Sequence, residues 1–204
     1  MLNRYARAFF TKILTPVASL LIRLGVSPDV VTVIGTLGVG FGALAFYPRG
    51  EFLVGTLVIT AFVFSDTVDG IMARRLGRSS NWGAYLDSTL DRVGDAAVFG
   101  GLVLWYAGNG GNAYMAALAL ACLILGSVVS YAKARAEGLG MTANVGIAER
   151  ADRLVAVLVA TGLTGLFGIP TIFLGVVLAL LALASLVTVV QRILEVRRQA
   201  LELA

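Results

Sequence analysis

The chain has 204 residues, of which 58% are hydrophobic and 14% charged, and this composition excludes an ordinary soluble domain in favour of a helical membrane protein. It contains no histidine and a single cysteine, so a Ser-His-Asp triad, histidine-bound zinc and an intrachain disulfide are excluded. The net charge of +4 predicts attraction to anionic membrane lipids, with no nucleic-acid partner, because the basic residues cluster beside hydrophobic segments.

The first predicted element, within residues 1–25, is an amphipathic helix that lies in the membrane interface. Apolar side chains cover most of it, and a polar stripe runs along one side: Arg4, Arg7, Thr11, Thr15, Ser19 and Arg23. Pro16 is expected to bend this helix. We interpret the segment as a membrane anchor without a part in catalysis.

Six membrane-spanning helices are predicted within residues 28–198, each near the ~20 residues that cross a hydrocarbon core. We place them at residues 28–46, 52–76, 82–106, 114–136, 151–166 and 171–197. Turn-forming residues at 47–50, 108–112 and 168–170 separate consecutive spans. The sequence therefore predicts an all-α, polytopic membrane bundle that forms one domain over residues 1–204.

The basic residues predict how the bundle is oriented. Six spans place both termini on one side, and the opposite side keeps only Arg49. The loops on the terminal side contribute Arg74, Arg75, Arg78, Lys133, Arg135, Arg150 and Arg153. By the positive-inside rule, both termini and this charged face are cytoplasmic in a cell membrane.

Two pairs of aspartates lie within the second and third predicted spans. Asp66 and Asp69 are three residues apart and Asp87 and Asp91 four, so each pair occupies one face of its helix. An aspartate at the bilayer centre costs ~2.5–3.5 kcal/mol, which bound cations would offset. Four carboxylates without other ligand types predict two Mg²⁺ ions, with Mn²⁺ as an alternative. Asp95 continues this stripe, either as a further partner of the site or in a salt bridge.

The same carboxylates leave a different class of function open. Acidic side chains inside a membrane often line ion paths, so a divalent cation transporter is an alternative to an enzyme. The acidic residues nevertheless occupy only one end of two spans, without a polar trail to the far side. We therefore favour the enzyme.

Residues 66–91 carry a recognisable motif. It reads Asp-Thr-Val-Asp-Gly-Ile-Met-Ala-Arg, then eight residues, then Gly-Ala-Tyr-Leu-Asp-Ser-Thr-Leu-Asp. In all eight fixed positions and in their spacing, it resembles the signature of the CDP-alcohol phosphotransferase family. The resemblance implies a homodimeric membrane enzyme whose dinuclear metal site binds the diphosphate of a CDP-linked lipid. An alcohol then attacks the lipid-side phosphorus and releases CMP.

The resemblance also implies roles for individual residues. Asp66, Asp69 and Asp87 would bind metal, and Asp91 would bind metal and act as the general base. The donor, CDP-diacylglycerol, would be bound by Pro28, Asp29, Thr32, Gly70, Ala73, Arg74 and Ser80. For Asp29 and Thr32, ordinary helix capping is an alternative explanation.

Cations near the ends of the later spans indicate an anionic acceptor. We predict that its phosphate is bound by Ser130, Lys133, Arg135, Arg153 and Arg192, although topology-setting charge would also explain the four cations. The arrangement resembles that of actinobacterial family members that transfer the phosphatidyl group from CDP-diacylglycerol to inositol phosphate. Glycerol 3-phosphate, which would yield phosphatidylglycerophosphate, is the alternative acceptor.

Overall fold

The computed structural model describes residues 2–77 and 80–202, and for residues 2–10 it describes the backbone alone. The regular elements in these ranges are helices: α1 (Leu2–Arg23), α2 (Pro28–Phe46), α3 (Phe52–Val63), α4 (Ser65–Arg75), α5 (Asn81–Ala107), α6 (Ala113–Glu137), α7 (Arg150–Phe167) and α8 (Thr171–Glu202), with a short 3-10 helix at Tyr47–Arg49. The all-α fold class is thereby confirmed for the described residues. The side chains of Arg4 and Arg7, and Arg78 as a whole, lie outside them.

Four helical stretches are long and apolar enough to cross a membrane: Pro28–Arg49, Phe52–Arg75, Ala113–Glu137 and Thr171–Glu202. The other two predicted spans form helices α5 and α7, which have 27 and 18 residues. Both carry several charged side chains, which lower their mean hydropathy. The chain is thus a helical membrane protein, and six crossings stay a prediction.

The second predicted span is divided into two helices. Helix α3 ends at Val63 and α4 begins at Ser65, and Phe64 between them keeps right-handed helical dihedral angles (φ −69°, ψ −12°). The apolar run from Phe52 to Phe64 continues without interruption, so its pattern predicted one helix. Helix α4 carries two of the aspartates, Asp66 and Asp69.

Side-chain caps fix where the helices around the aspartates begin. The hydroxyl of Ser27 accepts a hydrogen bond from the Val30 amide at 3.3 Å, and Pro28 takes the first position of α2. The hydroxyl of Ser80 accepts one from the Gly83 amide at 3.0 Å and begins α5. These caps define the N-terminal ends of α2 and α5, and α2 packs against α4.

Helix α2 lies against α3 and α5 in the core, where small residues allow close backbone approach. A Cβ atom at Gly101 of α5 would lie 2.7 Å from the carbonyl oxygen of Ala43 in α2. Glycine is therefore required at this crossing. The neighbouring core contains Val98, Leu102 and Tyr106, all buried.

Helix α1 packs against α4. Ala18 is fully buried beside Val68, Ile71 and Met72. The Ser19 hydroxyl also accepts a hydrogen bond from Arg75 Nη1 at 2.5 Å. The N-terminal helix is therefore attached to the helix that carries Asp66 and Asp69.

Candidate metal and nucleotide site

Three carboxylates, two from α4 and one from α5, come together at one point. One oxygen from each of Asp66, Asp69 and Asp87 lies within 4.8 Å of the other two. Like charges at this separation repel each other, and a divalent cation relieves the repulsion. Three hard oxygen ligands from two rigid helices fit such a cation, so the residues present suit the metal that the sequence predicted.

Asp69 is the most buried of the three, with 7% of its surface exposed. Its Oδ2 atom accepts a hydrogen bond from the Thr32 hydroxyl at 2.5 Å. This bond joins α2 to α4 and fixes the orientation of the Asp69 carboxylate. The capping explanation for Thr32 is therefore insufficient, because its hydroxyl contacts the carboxylate cluster directly.

Asp29 joins α2 to α5 at the rim of the same region. Its Oδ2 atom accepts a hydrogen bond from the indole Nε1 of Trp82 at 3.1 Å. Trp82 in turn stacks on Tyr85, with ring centroids 6.0 Å apart. The helix cap itself is made by Ser27, so the Asp29 carboxylate has a cross-helix contact instead of a capping role.

A cavity of about 380 Å³ opens beside the three carboxylates. Its lining includes all seven residues predicted to bind the donor, together with the three aspartates and two small residues of α5: Pro28, Asp29, Thr32, Asp66, Asp69, Gly70, Ala73, Arg74, Ser80, Gly83, Ala84 and Asp87. The volume lies in the range of small-molecule sites, about 300–1,000 Å³. The small side chains of glycine and alanine leave room in the cavity, and Arg74 adds a positive charge to its lining. The cavity can accept a polyphosphate held through cations.

Asp91 lies outside the three-carboxylate group. Its Oδ1 atom is 2.7 Å from Arg150 Nη1, and its Oδ2 atom is 3.4 Å from Arg92 Nη2. The same Arg150 Nη1 atom lies 3.4 Å from Asp66 Oδ2, so Asp91 is connected to the group through a guanidinium. The structure thus brings together three of the four predicted metal ligands, and places the fourth beside them in an ion pair.

The five predicted acceptor residues have different surroundings. Arg153 and Arg192 are buried, and each donates to two backbone carbonyls: Ala148 and Gly126 for Arg153, Val145 and Val129 for Arg192. The Ser130 hydroxyl accepts a hydrogen bond from Arg92 and donates one to the Gly126 carbonyl. Lys133 lies 4.0 Å from Glu137, and exposed Arg135 lines a separate groove between α6 and α8 that Arg192 also reaches.

Two arginines in contact with the aspartates were absent from the predicted site. Arg150 was counted among the charges of the terminal side without a role at the aspartates, and Arg92 was not considered, although it directly follows Asp91. Asp95, for which two explanations were open, pairs with Arg150 Nε at 3.1 Å. An arginine within a predicted span usually pairs with a carboxylate or a backbone carbonyl, and this is the signal that could have found Arg92 beside Asp91. Arg150 lies just before the fifth predicted span, so the same signal did not apply to it.

Comparison with known proteins decides the family. The sequence profile of the CDP-alcohol phosphatidyltransferases matches residues 25–195, most of the chain. The chain belongs to this family. The resemblance read from the 66–91 motif is confirmed, and so is the enzyme, a phosphatidyltransferase, that was favoured over a cation transporter.

Individual relatives agree with this assignment over nearly the whole chain. The phosphatidylinositol phosphate synthase of Streptomyces avermitilis is 60% identical, covering 99% of this chain and 85% of that protein. The synthase of Mycolicibacterium smegmatis is 44% identical, covering 94% and 86%. The crystal structure of the Mycobacterium tuberculosis synthase with CDP-DAG bound superimposes with a TM-score of 0.86 at 42% identity, covering 91% and 94%.

A second crystal structure of the Mycobacterium tuberculosis synthase is a complex with manganese and citrate. It superimposes with a TM-score of 0.83 at 41% identity, covering 90% of this chain and 88% of that one. Together with the cluster of Asp66, Asp69 and Asp87, this relative supports a divalent metal site in the present chain.

Proposed function

We propose that this phosphatidyltransferase transfers the phosphatidyl group of CDP-diacylglycerol to inositol phosphate, giving phosphatidylinositol phosphate and CMP. The choice of acceptor rests on the 60% identity to a phosphatidylinositol phosphate synthase over 99% of the chain. The donor is supported by a cavity in which seven predicted binding residues surround three carboxylates. It is supported further by the superimposed relative that carries CDP-DAG.

The proposed metal content is two Mg²⁺ ions, with Mn²⁺ as a substitute. Asp66, Asp69 and Asp87 would hold them, joined by Asp91 once its carboxylate is free of Arg150. Bound ions supply positive charge to the diphosphate oxygens and to the departing CMP. The protein contributes fixed ligand positions, because Thr32 and the cap at Ser80 lock the helices that carry them.

In the proposed reaction, Asp91 accepts the proton of the attacking inositol hydroxyl. The hydroxyl oxygen forms a bond to the lipid-side phosphorus, and the bond from that phosphorus to the bridging oxygen breaks. The bridging oxygen leaves on CMP with the electron pair. Without histidine in the chain, a carboxylate is the residue type suited to this role.

The remaining cavity residues position the donor. Arg74 is placed to neutralise a phosphate oxygen, because its guanidinium lies over Gly70 on the cavity wall. Gly70 and Ala73 leave room for the nucleotide to reach the metal ligands. Pro28, Asp29 and Ser80 lie at the N-terminal ends of α2 and α5, where free backbone amides favour an anionic ligand.

The acceptor phosphate is proposed to bind Ser130, Lys133, Arg135, Arg153 and Arg192. Among the described residues, Arg153 and Arg192 form no contact ion pair and donate to neutral carbonyl oxygens. Guanidiniums without a directly paired carboxylate are suited to bind a phosphate. This supports a phosphorylated acceptor over a neutral one.

The proposed enzyme is a homodimer with six spans, and its active site and both termini face the cytoplasm. The basic residues at the cytoplasmic ends of the predicted spans support this orientation. Small residues along the spans offer packing surfaces for a second copy.

An acceptor competition assay tests the proposed function. Purified protein receives CDP-diacylglycerol and Mg²⁺ with either inositol phosphate or glycerol 3-phosphate, and CMP and the lipid product are quantified. We expect CMP release to depend on inositol phosphate, with Asp87→Asn as the inactive control. Preferential CMP release with glycerol 3-phosphate would show that this alcohol, and not inositol phosphate, is the acceptor. Absence of CMP with both acceptors would refute the proposal.

A further inference from the structure

Arg150 has an unusual position at the first residue of α7. A capping box made by Glu149 and Asp152 fixes this helix start, with the Glu149 amide 3.3 Å from Asp152 Oδ2. The N-terminal end of a helix carries partial positive charge, so a cation in the first turn is disfavoured there. Arg150 is therefore held by carboxylates of other helices and not by its own helix.

The guanidinium of Arg150 contacts carboxylates on two sides. On one side, Nη1 lies 2.7 Å from Asp91 Oδ1 and 3.4 Å from Asp66 Oδ2. On the other side, Nε lies 3.1 Å from Asp95 Oδ1. The first contacts are with predicted metal ligands, whereas Asp95 belongs to neither the three-carboxylate group nor the cavity lining.

The contacts divide the four predicted metal ligands into unequal sets. Asp66, Asp69 and Asp87 already lie close enough to share one cation. Asp91 has one oxygen on Arg150 and the other near Arg92. A first ion can bind at the group of three while Asp91 stays paired. A second ion that uses Asp91 must take the oxygen that Arg150 Nη1 now holds.

We propose that Arg150 occupies the place of the second divalent ion and must leave Asp91 and Asp66 before that ion binds. Asp95 retains the guanidinium during this exchange, so Arg150 is a positioning residue that controls when Asp91 becomes a metal ligand. The inference rests on the proposed two-metal function and adds to it an order of binding. The site fills in two steps of unequal affinity.

The test counts bound Mn²⁺ directly. Free Mn²⁺ is measured by electron paramagnetic resonance while purified protein in detergent is titrated, without lipid substrate. We expect wild type to show one tighter and one weaker ion. Arg150→Gln should tighten the weaker ion by at least about tenfold, within the ~5–150-fold range of ordinary coupling between sites, and change the tighter ion less than about threefold.

Two variants separate direct occupancy from a general effect of charge. Arg74→Gln removes a cation from the same cavity, but Arg74 forms no ion pair with these aspartates in the described residues. It should change both affinities alike. Arg150→Lys keeps the charge and should leave the affinity of the weaker ion as in wild type. That result would also show that the position tolerates substitution.

Asp95 provides an independent check. Asp95→Asn should alter the affinity of the weaker ion in wild type, but should have little effect in Arg150→Gln, where no guanidinium remains to be retained. Equal effects in both backgrounds would show that Asp95 does not act through Arg150.

The outcomes that overturn the inference are distinct from those that overturn the function. One Mn²⁺ per chain, two equal ions in wild type, or an unchanged weaker ion in Arg150→Gln each contradicts the exchange. CMP release by wild type with inositol phosphate would still support the transferase in those cases. Failure of CMP release with two unequal ions bound would instead count against the proposed function.

Discussion

Asp91 and Asp69 have different surroundings, and the difference predicts different consequences of losing each charge. Asp69 is buried, accepts a hydrogen bond from Thr32 and belongs to the group of three carboxylates. Asp91 lies beside that group and pairs with Arg150 and Arg92. In the proposed function, Asp69 would be a fixed metal ligand, and Asp91 would take part in proton transfer once Arg150 releases it.

Asp91→Asn should lower kcat by at least about 100-fold, the lower end of general-base contributions, while CDP-diacylglycerol binding is partly kept. Asp69→Asn should damage both turnover and donor binding, because the first metal loses a ligand. Initial rates of CMP release and equilibrium binding of the donor distinguish the two variants. Near-normal turnover in Asp91→Asn would remove it from the role of base.

Residue spacing predicted that Asp66, Asp69 and Asp87 come together, but it did not predict the arginines that contact the aspartates. Intervals of three and four residues place the aspartates on helix faces whatever the rest of the chain does. The contact between Arg150 and Asp66 joins residues 84 positions apart, and it exists because tertiary packing, in which α7 lies against α3 and α8, brings the start of α7 near the aspartates. Charge pattern alone could not distinguish this arginine from the others that set orientation.

The helices meet through small residues, and one glycine pair offers a matched experiment. A Cβ atom added at Gly101 would lie 2.7 Å from the Ala43 carbonyl oxygen. A Cβ atom added at Gly100 would have no neighbouring atom of the described residues within 4 Å. Gly101→Ala should lower the free energy of unfolding by about 1–3 kcal/mol through overpacking. Gly100→Ala should leave it unchanged or raise it by up to about 1 kcal/mol, since alanine favours helix.

Thermal unfolding of both variants in the same detergent, followed by circular dichroism, measures this difference. Equal midpoints for Gly100→Ala and Gly101→Ala would show that α2 and α5 do not cross as closely as described.

The contact between α1 and α4 predicts an effect of the N-terminal helix on the metal site. Ala18 is fully buried against α4, and Val17 beside it is 46% exposed. Ala18→Leu should displace α4 and weaken Mn²⁺ binding several-fold, whereas Val17→Leu should leave it unchanged. Mn²⁺ titration of both variants measures the effect. Unchanged binding in Ala18→Leu would leave α1 as the simple membrane anchor expected from its sequence.

Element boundaries followed from the sequence where capping or turn residues mark them. The first predicted span, 28–46, coincides with α2 because Ser27 and Pro28 mark its start and Pro48 lies just past its end. The boundary between α3 and α4 at Phe64 is different. It lies within an apolar run and has no side-chain cap, so the residue pattern did not predict it.

For the whole molecule, the family follows from residues 66–91 and from the relatives, whereas membrane orientation follows only from charge. Cys122, the only cysteine, is buried, so wild type is a natural unlabelled control. In intact cells, an impermeant maleimide should label Glu51→Cys and leave Leu139→Cys unlabelled until the membrane is opened. The reverse pattern would invert the proposed topology.

The most direct measurement of the proposed chemistry is CMP release from CDP-diacylglycerol by wild type and Asp87→Asn over a range of Mg²⁺ concentrations, with inositol phosphate present. Asp87 contributes one oxygen to the group of three and lines the donor cavity, so both roles are removed together. We predict that wild type releases no CMP without a divalent ion and that Asp87→Asn stays inactive even at saturating Mg²⁺. Release of CMP without divalent ions, or by Asp87→Asn at the wild-type rate, would contradict a metal site built from these carboxylates.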